Sequence, residues 1–221
     1  MKYRVLTSFT LVVILAFTVF GISKRQTYTD LRNEENYLEQ MQVAELPENL
    51  VSAQCERMAQ ELPNAPLILR VKVLEDVEYL FSTSRQKIRV QEIYAGDDLN
   101  IGDEIYLTSR CLLSVNNELK TVECGFVNIP KVGFEYLIFA EERVDALNEP
   151  IPVYRLCGDY SIAPIFCYED FPHIITPTNG ETKYVPYTVV QDNEFFAETE
   201  NGFQIWNELK NRILTVYPMN K

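Results

Sequence analysis

One histidine, one tryptophan and eight glycines are all that this chain of 221 residues holds of three residue types on which much chemistry depends. The only histidine, His173, lies in Phe171-Pro172-His173 with no Gly-x-Ser-x-Gly pattern nearby, so a serine hydrolase has no footing. Cys167 stands six residues before it, but a nucleophile and its base usually converge from distant parts of a fold, and an ordinary loop histidine is the expectation. None of the glycines forms a phosphate-cradling loop, which removes nucleotide binding of that kind. Five cysteines occur without a Cys-x-x-Cys or Cys/His spacing, so zinc has no evident ligand set. Asp97, Asp98, Asp103 and Glu104 lack the Asp-x-Asp-x-Asp-Gly register of a calcium loop and read as a solvated turn. No catalytic, cofactor-binding or metal-ligating residue is assigned, and an enzyme is not expected.

Basic residues are also scarce. Lysine and arginine number 20 against 32 acidic residues, a net charge of -12. Lys2, Arg4, Lys24 and Arg25 sit in the first 25 residues with no acidic partner there, so the remainder carries 16 basic and 32 acidic groups, net -16. A body this acidic repels phosphate backbones, and nucleic-acid binding is excluded as an expectation.

What the chain does have is one long apolar run. Residues 5–22, VLTSFTLVVILAFTVFGI, are uncharged and flanked by basic residues. Eighteen residues at about 1.5 Å rise span about 27 Å, which predicts a transmembrane helix anchoring an outer, acidic body, single-pass at the cell membrane. A signal peptide cleaved after Ser23, leaving a secreted protein, is the rival reading; the two basic residues beyond it favour retention. Beyond this segment (1–25), the chain divides into a helical stalk (26–46), a barrel with a leading helix (47–167) and a C-terminal loop, edge strand and helix (168–221).

In the stalk, Tyr28 to Glu45 places Leu31, Leu38 and Met41 at helical spacing. After Pro47, Val51, Cys55, Met58 and Leu62 share one helical face, so Cys55 is expected to be buried or bridged. Leu67 to Glu75 alternates apolar and charged residues, and Gln86 to Arg110 reads as a long hairpin around Gly96 and Gly102. Ile93 falls out of phase with Ile88 and Val90, which predicts a bulge. Gly133 to Ala140 and Pro152 to Cys157 supply two more strands. The fold class expected is mainly β with flanking helices (α+β): a five-stranded Greek-key barrel of the OB type, preceded by the transmembrane helix and followed by a C-terminal helix. That last helix begins near Asn201, with Phe203, Trp206, Leu209, Ile213 and Val216 on its apolar face, and Tyr184 to Val190 suggests an edge strand. Between them and the barrel, Tyr168 to Gly180 is rich in proline and aromatic residues; Tyr168, Phe171 and His173 are either a partner-binding surface or a lid on the core.

From Cys55 to Asp159 the order of signals resembles the N-terminal OB-fold module of tissue inhibitors of metalloproteinases and the netrin-like domains. The likeness rests on Ala65-Pro66-Leu67-Ile68-Leu69-Arg70-Val71-Lys72-Val73, Val90-Gln91-Glu92-Ile93-Tyr94-Ala95-Gly96, Glu104-Ile105-Tyr106-Leu107-Thr108, Glu123-Cys124-Gly125, Glu135-Tyr136-Leu137-Ile138-Phe139 and Leu156-Cys157-Gly158-Asp159. The resemblance implies disulfides joining Cys55 to Cys157 and Cys111 to Cys124, with Cys157 to Cys167 as a local alternative. It also implies an extracellular protein partner, a metalloproteinase in the specific case, chelated through a cysteine at a free N-terminus. Cys55 aligns with the second cysteine of the family's opening Cys-x-Cys, and Ala53 stands where the chelating one belongs. The function expected is a membrane-anchored extracellular protein-binding module, inhibiting or regulating a metalloproteinase. The alternatives are a thiol- or metal-dependent surface hydrolase and a purely structural surface protein.

Overall fold

The computed structural model describes residues 2–26, 36–80, 83–109, 112–146, 149–176 and 184–219. It forms two compact units, Met1–Glu35 and Asn36–Lys221. The first holds helix α1 (Lys2–Gln26). Among the described residues no helix is long and apolar enough to cross a membrane. The expectation of a barrel preceded by a transmembrane helix is corrected on this point.

The second unit opens where a helical stalk was expected. Residues 27–35 lie outside the described set, but Tyr37–Gln40 is a single 3-10 turn and Gln42–Ala44 is strand β1. Met41 and Val43 are buried in a small core of their own, so the spacing of Leu38 and Met41 reflects a turn followed by a strand. Helix α2 (Glu48–Glu61) then buries Val51, Cys55 and Met58 on one face, as the period of those residues requires.

The main sheet is built from β2 (Leu67–Val73), β3 (Glu78–Leu80), β4 (Thr83–Ala95) and β5 (Glu104–Ser109). Two short strands, β6 (Ser114–Asn116) and β7 (Thr121–Glu123), interrupt it. It resumes with β8 (Glu135–Val144), β9 (Val153–Leu156) and β10 (Ile165–Cys167). Its order is β10-β8-β2-β4-β5-β9, with β3 paired to β4 and β9 also paired to β8. That last pairing closes β2, β4, β5, β9 and β8 into a ring in which β5 and β9 run parallel and the other neighbours antiparallel. The sheet has seven strands, two more than expected, because β3 extends the β4 hairpin and β10 shares with β9 the free edge of β8. The expected bulge at Ile93 becomes two register breaks, which skip Tyr94 and Gln91 and bend the long β4 around the ring.

A second sheet, of four strands in the order β11-β1-β7-β6, was not anticipated. Its first strand, β11 (Tyr184–Pro186), is a true edge, with Pro186 where no ladder donor is needed. The chain does not stay extended to Val190, since Tyr187–Val190 is the short helix α3. Helix α4 (Glu200–Val216) is capped by Thr199, whose hydroxyl accepts from the Gly202 amide at 3.0 Å. The Glu48 carboxylate receives the Thr199 hydroxyl at 2.8 Å and the Asn201 amide at 2.7 Å, tying the starts of α2 and α4 together. Trp206, Leu209 and Ile213 of α4 are buried in the main core, whereas Val216 is exposed.

Candidate functional site

The three residues expected to meet a partner follow β10 on one irregular segment, and each has a different fate. Tyr168 is half-buried; its hydroxyl donates to the Tyr217 carbonyl at 2.9 Å and lies 3.3 Å from the Tyr94 hydroxyl. Burial pushes its pKa up, so it fastens the C-terminal end as a neutral phenol. Phe171 packs on Phe134 with ring centroids 5.4 Å apart, and the Lys131 ammonium stands 4.8 Å from its centroid. His173 lies flat on Phe203, centroids 3.5 Å apart and planes 10° off parallel. Both of its ring nitrogens lack a hydrogen-bond partner among the described residues, and burial lowers its pKa. The segment is held in place by Asn193, whose side chain accepts from the Ile174 amide at 2.9 Å and donates to the Ile174 carbonyl at 2.7 Å. A side-chain amide paired in this way fixes a loop as a strand neighbour would.

This segment and α4 enclose a cavity of about 290 Å³. Asp170, Phe171 and Pro172 form one wall, and Phe203, Trp206, Asn207, Lys210 and Asn211 form the other. The helical residues lie at spacings of three and four, one face of α4. The floor is an ion pair: Lys210 Nζ donates to Glu194 Oε2 at 2.6 Å and to the Glu169 carbonyl at 3.0 Å, with side-chain exposures of 3% for Lys210 and 7% for Glu194. Glu194 Oε1 accepts from the Cys167 amide at 2.7 Å. Burial raises the Glu194 pKa, and the Lys210 charge opposes that shift. Buried charges persist only when paired and hydrogen-bonded in this manner. Trp206 stacks on Phe195, centroids 4.7 Å apart and planes 5° off parallel, and its buried Nε1 has no partner. An orphaned buried donor costs about 1–3 kcal/mol.

Lys210, Glu194, Asn193, Asn207 and Asn211 escaped the sequence reading. Lys210 alone carried a usable signal, because it sits four residues after Trp206 and three before Ile213 and so shares their buried face.

The cysteines depart from expectation. Cys55, Cys157 and Cys167 are free buried thiols, so neither a Cys55–Cys157 nor a Cys157–Cys167 bridge is present. Side chains tie α2 to the segment after β9 instead: Arg57 donates to the Asp159 carbonyl at 3.4 Å, Gln54 accepts from the Ser161 amide at 3.2 Å, and the Tyr160 hydroxyl donates to Glu61 at 2.9 Å. Cys124 is buried, and Cys111 lies outside the described residues, as does any bond between them. Burial pushes the thiols of Cys55, Cys157 and Cys167 up to about 12 each, far from the thiolate a nucleophile needs. Cys167 donates weakly to the Glu135 carbonyl at 3.5 Å, and His173 has no hydrogen-bond partner among the described residues, so the two are not paired as a nucleophile and base. Among the described residues no group of three or more His, Cys, Asp or Glu side chains is arranged to hold a metal ion.

Compared with models of known protein families the chain matches none, and no curated protein is significantly similar to it.

Proposed function

We propose that this chain is a protein-binding module whose contact surface is the segment 168–176 and the cavity it rims. The observation that carries the reading is the pinning of that segment. Asn193 and Tyr168 fix its two ends while Phe171 is left along the mouth of an open cavity, which is the rigid aromatic presentation that binding surfaces use. Within this class, the likeness to metalloproteinase inhibitors supports regulation of a secreted metalloproteinase. Contact through Cys55 is not part of the proposal, because that residue lies inside α2 with its thiol in the core.

The test is inhibition of a panel of secreted zinc metalloproteinases by the full chain and by its Phe171→Asp variant. Saturable inhibition that falls at least about tenfold in the variant, a loss typical of a central aromatic contact, is the expected result. Inhibition unaffected by Phe171→Asp would move the contact surface elsewhere. Turnover of a thioester or peptide substrate by the chain itself, abolished by Cys167→Ala in a folded protein, would replace the module with a hydrolase.

A further inference from the structure

Resting on that binding reading, we infer that the cavity between α4 and the 168–176 segment takes an extended stretch of a partner's chain bearing a lysine or arginine. Two side-chain amides on the cavity wall point to a peptide. Trp206 is 1% exposed and lines the cavity with its ring, its indole nitrogen being buried away from the opening. Asn207 and Asn211 line the same wall one helical turn apart, each offering one acceptor and two donors. A main-chain peptide group supplies what these amides want, a donor–acceptor pair for each. Phe171 and Phe203 add apolar walls suited to a methylene stem.

The charge at the mouth selects the side chain. Lys210 is deep, and its charge is matched by Glu194 at 2.6 Å. Asp170 stands 3.8 Å from the same ammonium with its side chain 97% exposed, so most of its charge faces solvent. Glu169 beside it is exposed too, and the chain as a whole carries -12. A cationic side chain entering here meets complementary charge, whereas an acidic one is repelled.

The chain contains a single tryptophan, and it lines this cavity, so its fluorescence reads occupancy directly. The full chain is titrated at low salt with blocked pentapeptides of glycine carrying a central lysine, arginine, norleucine or glutamate. Saturable emission changes are expected for the lysine and arginine peptides, about tenfold tighter than for the glutamate peptide and weakened up to about fivefold by Asp170→Asn, magnitudes at the upper end for one exposed charge contact. Asp170 is at the surface, so this variant keeps its fold, and circular dichroism checks it. Equal responses to basic and acidic peptides, or none that saturates, would sink the inference, as would indifference to Asp170→Asn. Metalloproteinase inhibition that depends on Phe171 without any peptide binding would overturn this inference and leave the module reading standing. Selective basic-peptide binding without inhibition of any protease would do the reverse for the metalloproteinase assignment.

Discussion

Glu45 is the residue whose chemistry is least ordinary. It is 3% exposed, and the backbone of Thr176, at the end of the 168–176 segment, is the hydrogen-bonding group that opposes the effect of its burial. Glu198 is brought close by the backbone bonding of the next residue, Leu46, to the Glu198 amide at 3.1 Å. Burial first, and then the Glu198 charge, push the Glu45 carboxyl up to about 7. The folded protein therefore holds a proton that the unfolded chain has released above its usual carboxylate range. Stability from this group is greatest at low pH and declines as pH rises through the window between about 4.5 and about 7, by up to about 3 kcal/mol. Urea midpoints measured across that window should fall as pH rises, and Glu45→Gln should flatten the fall while raising stability at the alkaline end. An unchanged slope in the variant would mean that other groups set the profile.

Elements differ in how they hold the site. Helix α4 is a rigid wall, capped and packed, whereas the 168–176 segment has no ladder of its own and depends on the side chain of Asn193. Asn193→Ala removes both bonds to Ile174, each worth about 1 kcal/mol net. Hydrogen exchange at the Ile174 amide should accelerate about tenfold or more while that of β2 and β8 stays put; equal protection in both proteins would show that stacking of His173 on Phe203 holds the segment instead. The same contrast explains what could be read from the chain. Leu67 to Val73 and Lys87 to Gln91 announce themselves by alternation, and the face of α4 by Trp206, Leu209 and Ile213. Strands β1, β6, β7 and β11 have three residues each, too few to carry a period, and come from three separated places, β6 and β7 forming one hairpin. For the site, the aromatic segment was legible from composition. Of its other wall, Phe203 and Trp206 were legible as the apolar face of α4, whereas Asn207 and Asn211 are residue types that ordinarily face water, and Lys210 showed only its place on the buried face and not its pairing with Glu194.

At the scale of the molecule, the leading segment of the second unit is structural. Val43 of β1 is buried between β11 and β7, and Leu46 bonds to the Phe196 carbonyl at 2.9 Å. A chain trimmed to begin at Cys55, the only way to create a free amine there, loses β1 and the first half of α2. It should be unfolded or molten by near-ultraviolet circular dichroism, while a chain beginning at Asn36 should keep the full signal. A native spectrum from the trimmed chain would show that the barrel stands without its small sheet.

Strand β1 also sets a schedule for biosynthesis. Val43 pairs with Val122 on one side and Val185 on the other, so a strand made early stays incomplete until most of the chain has left the ribosome. Pairing at such sequence distance is slow, and until it occurs both edges of an apolar strand stand bare to neighbouring nascent chains. The barrel strands find their neighbours sooner, and the small sheet is then the late seal whose delay decides the yield of folded protein.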